Sequence, residues 1–377
     1  MVVVSSKRLE GMAGVSLISP NDLMSGSYWA KDIYNGSRKR SNQIDEDTEQ
    51  RDPCRIKYHS SYSVNRWMAV EGKLGNGRKY PVVLDTGASI PLFVNDIHIM
   101  ENKLTAYPLK SHNGDSVGWG MCYLPELLIG QVTLASWPCF YREQHTELQL
   151  LGLPLVKGKA VIAGLAALRR FKYISFDSVR KEVEFSLERV FKPGQLDLWA
   201  QYSFAIEEDL GGNALLFVKI PIAGEETELQ LDTGSGRGLA ITGELWEKMS
   251  KKIRRIKLKK GRDLYPYIGW LVCKQGVVPK LEVGNRIVKN AKMSVFPNDS
   301  PIVEQRSGLL GMQYFQDTIM VLDFERNLMW VKNPPRRQPS AAILQSRYVP
   351  QPRNMLSSSG TICEFNSKNP FITPQLF

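Results

Sequence analysis

Short apolar runs broken by turn residues recur along the chain, a pattern typical of β-strands joined by tight turns. Residues 67–84 predict two strands around a Gly-Asn-Gly turn, which together make a β-hairpin. Residues 215–231 predict a second hairpin around a single glycine turn. Both hairpins lead into the same four residues, Leu-Asp-Thr-Gly, at positions 84–87 and 231–234. The pattern therefore predicts two mostly β units that begin alike.

The residues that follow the two Leu-Asp-Thr-Gly sequences also match. Each copy is followed by a Gly-Trp pair, a cysteine three residues beyond the tryptophan, and an apolar stretch that ends in glycine. Each unit then closes with an apolar pair, a glycine, a short predicted helix and terminal strands, at residues 161–187 and 309–331. From the triplet aspartate to the terminal aspartate, Asp177 or Asp323, the separations are 92 and 91 residues. We interpret this as an internal duplication.

Composition places the chain among globular proteins. Its 377 residues, 43% of them hydrophobic, are enough for two domains with cores of their own. No stretch approaches the ~20 apolar residues of a membrane span, and Lys7, Arg8 and Glu10 interrupt the start where a secretion signal is apolar. We therefore expect a cytoplasmic protein without a membrane span. Its five cysteines lack metal-binding spacing and are expected to be free thiols.

The formal charge of +11 is concentrated in one basic run at residues 251–260. Such a run can attract nucleic acid or acidic substrates. No aromatic residue interleaves it, as stacking on bases would require. An exposed edge strand or loop, whose charges discourage pairing with other chains, is the favoured interpretation, and we do not expect a nucleic-acid partner.

The two Asp-Thr-Gly triplets carry the candidate chemistry. Two carboxylates held close together cannot both ionise cheaply, so one keeps a proton while the other stays charged. The charged member can take a proton from water while the protonated member donates to a substrate carbonyl, which hydrolyses a peptide bond without metal or cofactor. Gly87 and Gly234 allow a tight turn beside the carboxylates, and Thr86 and Thr233 offer hydroxyls that can bond across a pseudo-twofold axis.

With these triplets the chain resembles the aspartic peptidases, a clan that includes pepsins and retroviral proteases. The residues that carry the resemblance are Asp85-Thr86-Gly87-Ala88-Ser89, Asp232-Thr233-Gly234-Ser235, the elements ending at Gly164 and Gly311, and the strands around Asp177 and Asp323. The resemblance implies an all-β (mostly) bilobal acid-protease fold, with two pseudo-twofold-related, β-barrel-like, retropepsin-like lobes and short helices. It implies an aspartic endopeptidase whose catalytic residues are Asp85 and Asp232. Thr86, Gly87, Thr233, Gly234 and Ser235 would support this dyad, and the partner would be an extended polypeptide bound by a monomer.

The resemblance and the composition together predict how the chain is divided into lobes, linker and terminal segments. We expect an N-terminal extension at 1–64 that is partly disordered, a first lobe at 65–190, a linker at 191–210, a second lobe at 211–332 and a disordered tail at 333–377. A basic cluster within the extension, Arg38-Lys39-Arg40, could lie over an acidic cleft and inhibit the enzyme, although a charged extension is more often simply solvated.

Substrate in this clan is covered by a β-hairpin flap, and the resemblance puts the two Gly-Trp pairs in such hairpins. Trp119, Trp270, Tyr265 and Tyr267 are therefore candidates for substrate contact, with packing as the competing interpretation. Pepsins use one dominant flap and retroviral dimers use two, and this sequence is compatible with either.

The two triplets are not identical in their surroundings. Ala88 follows the first, where pepsin-like enzymes commonly have a serine, whereas Ser235 follows the second. Losing a donor raises a carboxylate's pKa, so we expect Asp232 to ionise more readily than Asp85 and the pH optimum to be less acidic than in gastric enzymes. Arg237 suggests an alternative, because a guanidinium beside the dyad would keep both acids charged. The chain would then be a weak or inactive peptide-binding or scaffold protein.

Overall fold

Strands dominate the computed structural model, which describes residues 53–60, 68–110, 116–142, 148–150, 153–156, 160–208, 214–253, 256–265, 269–300 and 307–332. The prediction of a mostly β fold is confirmed. The described residues all belong to one compact unit. The basic cluster at 38–40, Tyr267 and the predicted tail at 333–377 lie outside the described residues.

The first half supplies the strands of one sheet and part of another. In chain order they are β1 (Cys54–Lys57), β2 (Ala69–Leu74), β3 (Lys79–Asp85), β4 (Leu92–Asn95), β5 (Ala106–Lys110), β6 (Ser116–Ile129), β7 (Val132–Arg142), β8 (Leu148–Leu150), β9 (Leu153–Val156), β10 (Val161–Gly164), β11 (Tyr173–Asp177) and β12 (Glu182–Ser186). Seven of them form a sheet in the order β2-β3-β10-β4-β7-β6-β5, while β8 and β9 pair only with each other among the described strands.

The second half supplies the remaining strands. They are β13 (Trp199–Glu208), β14 (Ala214–Ile222), β15 (Glu225–Asp232), β16 (Leu239–Thr242), β17 (Lys259–Tyr265), β18 (Gly269–Val283), β19 (Arg286–Phe296), β20 (Gly308–Gly311), β21 (Ile319–Asp323) and β22 (Leu328–Lys332). Seven of these strands lie side by side in the larger sheet, in the order β14-β15-β20-β16-β19-β18-β17.

These two seven-strand sets have the same order, strand for strand. Each set also closes on itself, because β2 pairs additionally with β6 and β14 pairs additionally with β18. The hairpin predicted at 67–84 is β2–β3, and the one predicted at 215–231 is β14–β15. The strands β3 and β15 are buried along their second halves, so the chain that delivers each Asp-Thr-Gly is enclosed on both faces.

A band of six strands joins the two halves, in the order β1-β12-β11-β21-β22-β13. At its centre β11 lies antiparallel to β21, with Ser175 opposite Val321. Buried apolar side chains of both halves form one continuous core, which includes Leu84, Phe176 and Leu231. The two copies of the duplicated unit are therefore held in a fixed relation by a shared sheet and a shared core.

Two stretches differ from their sequence-based interpretation. Residues 191–210, expected to be a linker, contain β13, which pairs with both β22 and β14. The signal for a strand is the alternation Tyr202, Phe204, Ile206, whose side chains are more buried than their exposed neighbours. Residues 53–60, expected to be part of an extension, contain β1, which forms an edge strand beside β12.

The helices are short and occupy equivalent places in the two halves. They are α1 (Asp96–Asn102), α2 (Leu165–Leu168) and α3 (Gly243–Ser250), with 3₁₀ turns at Leu196–Leu198 and Met312–Phe315. Helix α1 follows β4, and α3 follows the equivalent β16. Helix α3 is capped by Thr242, whose hydroxyl accepts a hydrogen bond from Leu245 N at 3.1 Å. In the described part of the chain no helix has the length and apolar character needed to cross a membrane.

Candidate active site

The two triplets lie at the ends of equivalent strands. Asp85 is the last residue of β3, and Asp232 is the last residue of β15. Both neighbouring strands run parallel, so Gly164 of β10 lies opposite Asp85 and Gly311 of β20 lies opposite Asp232. A Cβ atom at either glycine would overlap a carbonyl oxygen of the loop that follows the triplet. These glycines therefore allow each loop to fold back closely over the end of its own sheet.

The threonines of the triplets bond reciprocally between the two halves. Thr86 Oγ1 donates to the Leu231 carbonyl at 2.7 Å and accepts from Thr233 N at 3.1 Å. Thr233 Oγ1 donates to the Leu84 carbonyl at 2.6 Å and accepts from Thr86 N at 3.0 Å. Both threonines are fully buried. Four crossing hydrogen bonds in a dry environment thus fix one triplet against the other.

Each carboxylate lies against the glycine of the opposite triplet. A Cβ built on Gly87 would lie 2.6 Å from Asp232 Cγ, and one built on Gly234 would overlap the Asp85 carboxyl group. Both aspartates are almost fully buried, at 6% and 5% exposure. The two acids that the sequence singles out are therefore brought together, and only glycine leaves room for them at positions 87 and 234.

The two carboxyl groups have different surroundings. Asp85 Oδ1 accepts hydrogen bonds from the backbone N–H of Gly87 at 2.8 Å and of Ala88 at 3.1 Å, which suit a negative charge. Burial raises the pKa of Asp232 to about 7, and the adjacent Asp85 adds to this rise, while a hydrogen bond from the Ser235 backbone opposes it. The two backbone donors to Asp85 Oδ1 and the raised pKa of Asp232 thus make the two carboxyl groups inequivalent.

The expectation that Asp232 ionises more readily runs against the raised pKa of Asp232. It rested on the hydroxyl of Ser235, which Ala88 lacks at the equivalent place. Ser235 instead contacts Asp232 through its backbone N–H, and its hydroxyl accepts a hydrogen bond from Arg237 N at 3.3 Å. Asp85 receives its donors from the backbone, so the missing side-chain hydroxyl at Ala88 does not remove them. A buried pair with one proton can act as acid and base together near neutral pH.

Arg237 forms an ion pair with Asp263 of β17. Asp263 is 8% exposed, and it also accepts hydrogen bonds from Gln275 Nε2 at 2.7 Å and Ser294 Oγ at 2.5 Å. Sequence reasoning missed Asp263 as a partner, because it lies 26 residues from Arg237 and comes near it only through the pairing of β17 with β18 and β18 with β19. The guanidinium thus has a carboxylate partner outside the dyad.

The candidate flap residues lie in two equivalent hairpins, β5–β6 and β17–β18. Trp119 is half-buried, with its ring centroid 5.6 Å from that of Phe93 and the Arg142 guanidinium over its face. Trp270 is 60% exposed. Tyr265 ends β17 opposite Gly269, and Tyr267 lies outside the described residues. Packing thus accounts for much of the Trp119 surface, whereas Trp270 presents its ring to the outside.

Other sequence-based expectations concern metals, thiols and the basic run. Among the described residues no group of three or more His, Cys, Asp or Glu side chains could hold a metal ion. Cys54, Cys122, Cys139 and Cys273 are free, as expected, and all four are buried. The basic run at 251–260 leads into β17, which is an edge strand among the described strands, as the favoured interpretation has it.

No protein-family model and no curated protein matches the chain. Solved structures to which it is similar include basic 7S globulin from soybean, with 11% sequence identity and a TM-score of 0.41 over 76% of this chain and 98% of that one. Similarity at this level assigns neither a fold nor a function.

Proposed function

We propose that this protein is an aspartic endopeptidase that hydrolyses peptide bonds of an extended polypeptide, with Asp85 and Asp232 as its catalytic residues. The observation that carries the proposal is the reciprocal arrangement of the triplets: each buried carboxylate lies against the glycine of the other copy. A structural role alone does not require two buried acids to approach each other, because their mutual repulsion and desolvation are costly.

The unequal environments suggest a role for each acid. Charged Asp85 takes a proton from a water molecule as the water oxygen bonds to the carbonyl carbon of the substrate. Protonated Asp232 donates its proton to the carbonyl oxygen, which gives a neutral tetrahedral diol. Return of a proton from the diol to Asp232 and delivery of the other proton from Asp85 to the amide nitrogen then break the C–N bond and restore the starting state.

We further propose that the fold is the bilobal acid-protease fold. The proposal is supported by the matching strand order of the two closed sets, by the six-strand band between them and by one triplet in each half. Because one chain supplies both acids, a single copy has a complete dyad. A second copy is not needed to build the site.

The alternative is a binding or scaffold protein with the same fold. It was suggested by Arg237, whose charge beside the dyad would keep both acids ionised. The ion pair of Arg237 with Asp263 gives that charge a partner other than the dyad. The endopeptidase is therefore the function that the geometry supports best.

Replacing either acid tests the proposal. We expect Asp85→Asn and Asp232→Asn each to lower cleavage of a peptide library by about 10³-fold or more, since each removes one proton-transfer group. The exposed Asp197→Asn is the matched control and should cleave like the wild type. Thermal unfolding of all three variants checks that the fold persists. Full cleavage by either dyad variant would show that the dyad assignment is wrong.

A further inference from the structure

A cavity of about 720 Å³ opens beside the second triplet. Part of its lining is the loop Gly236–Gly238, which continues directly from Asp232-Thr233-Gly234. Because consecutive Cα atoms are about 3.8 Å apart, Gly236 lies within about 8 Å of Gly234, and Gly234 contacts the Asp85 carboxyl group. When a polypeptide is bound at the dyad, a side chain a few residues from the scissile bond can therefore reach this cavity.

The far walls of the cavity are formed by neighbouring strands of the second half. Lining residues of β18 lie directly opposite lining residues of β19, in the pairs Gln275 with Ser294 and Val277 with Lys292. Strand β16 contributes Leu239 and Ala240. The cavity is therefore built on a paired sheet, which can hold its lining groups in fixed positions.

Positive charge predominates in the lining. The charged residues that line the cavity are Arg237, Lys257, Lys259, Lys292 and Asp263. The single acid among them is already engaged by Arg237, Gln275 and Ser294. The three lysines are exposed, and none of them forms an ion pair with the residues that the structure describes. The lining residues therefore carry a net positive charge.

We infer that this cavity binds an acidic side chain of the polypeptide, Asp or Glu, a few residues from the bond that is cut. The inference rests on the proposed endopeptidase and adds its substrate preference. A cleft lined by positively charged residues attracts a carboxylate and raises its local concentration. The exposed side chain of Val277 in the lining offers apolar surface to the methylene groups that carry the carboxylate. The basic run at 251–260, interpreted above as a solvated edge, contributes two of the lysines.

Cleavage-site profiling tests the preference. The wild-type protein is incubated with a diverse peptide library, and the cut sites are read by mass spectrometry. We expect Asp and Glu to be enriched at one fixed position within four residues of the cut. The triple variant Lys257→Gln, Lys259→Gln, Lys292→Gln should lose about 10-fold or more in kcat/KM for an acidic substrate and little for its Gln counterpart. The control triple variant Lys219→Gln, Lys280→Gln, Lys289→Gln removes the same charge from exposed sites outside the lining and should keep the preference.

Binding to the full-length Asp85→Asn chain separates this inference from the proposed function. Fluorescent peptides that differ only by Glu or Gln are compared, with an oligothymidylate as competitor. Cleavage without acidic enrichment overturns the inference and leaves the endopeptidase intact. Absence of cleavage together with a Glu preference that needs the three lysines supports the cavity assignment and refutes the endopeptidase. Equal loss of binding in both triple variants, with displacement by the oligonucleotide, shows a general polyanion surface and overturns the inference.

Discussion

The two halves of the molecule order their strands identically but differ around the site they share. In the first half Trp119 packs against Phe93 and is half-buried, whereas in the second half the equivalent Trp270 is 60% exposed. The first triplet is followed by the fully buried Ala88, whereas the second is followed by Ser235 and the glycine-flanked Arg237. The duplicated scaffold thus brings the two acids together, and the residues around them differ between the halves.

The carboxyl groups show the same contrast on a smaller scale. Their positions are reciprocal, but two backbone donors serve Asp85 Oδ1, and burial raises the pKa of Asp232 to about 7. Symmetric placement brings the acids together, and their surroundings make the two carboxyl groups inequivalent. Substitutions that disturb the symmetric placement of the triplets should therefore have equal effects in the two halves. Substitutions in the surroundings that differ should have unequal effects.

The glycines of the triplets should show the largest effect. Gly87→Ala and Gly234→Ala each put a methyl group where the opposite carboxylate lies, and misplacing a reacting group by about 1 Å costs roughly 10²-fold. We expect both variants to lose at least this much in kcat/KM. Gly75→Ala is the control, because a Cβ there meets no atom within 4 Å. A loss in only one of the two triplet variants would contradict the reciprocal geometry.

The crossing threonines should show an intermediate effect on stability. Thr86→Val and Thr233→Val each leave a buried carbonyl and a buried N–H of the other half without their partner. We expect each to lower the free energy of unfolding by about 2–4 kcal/mol, measured by urea denaturation. The exposed Thr133→Val should change it by less than about 0.5 kcal/mol. Clearly unequal losses at the two threonines would show that the halves are not held symmetrically.

The tryptophans should show the smallest effect and the clearest difference between halves. Trp119→Ala removes a partly buried ring and should destabilise the fold by about 2 kcal/mol. Trp270→Ala should change stability by less than about 0.5 kcal/mol but raise KM, because its exposed ring is the candidate for substrate contact in this half. Urea denaturation and steady-state kinetics measure the two effects. Equal destabilisation by both changes would remove the proposed difference between the flaps.

Much of the fold follows from sequence because its signals are local and repeated. Alternating apolar residues and glycine turns predict β2–β3 and β14–β15, and the second copy of each signal supports the first. The terminal strands β11 and β21 follow from apolar runs before an aspartate turn. Strand β13 was not predicted, because Pro193 and Gly194 precede it and indicate a linker. The other half also has no matching segment that would have supported a strand here.

The dyad can be predicted from sequence, whereas its electrostatics and the neighbouring cavity cannot. Asp85 and Asp232 stand out because they occur in duplicated triplets. The donors to Asp85 are backbone N–H groups, which no residue type reveals. The pairing of Arg237 with Asp263, and the meeting of Lys257 with Lys292 in one cavity, depend on strand register across β17, β18 and β19.

The pH dependence of kcat/KM tests the shared proton most directly. The pKa of Asp232 is raised to about 7, so its proton is held below that pH and lost as the pH rises through it. Activity needs that proton, so we predict a profile that falls with an apparent pKa near 7 on its alkaline side. A profile that peaks near pH 2, or one that keeps rising above pH 8, would contradict the proton-sharing dyad.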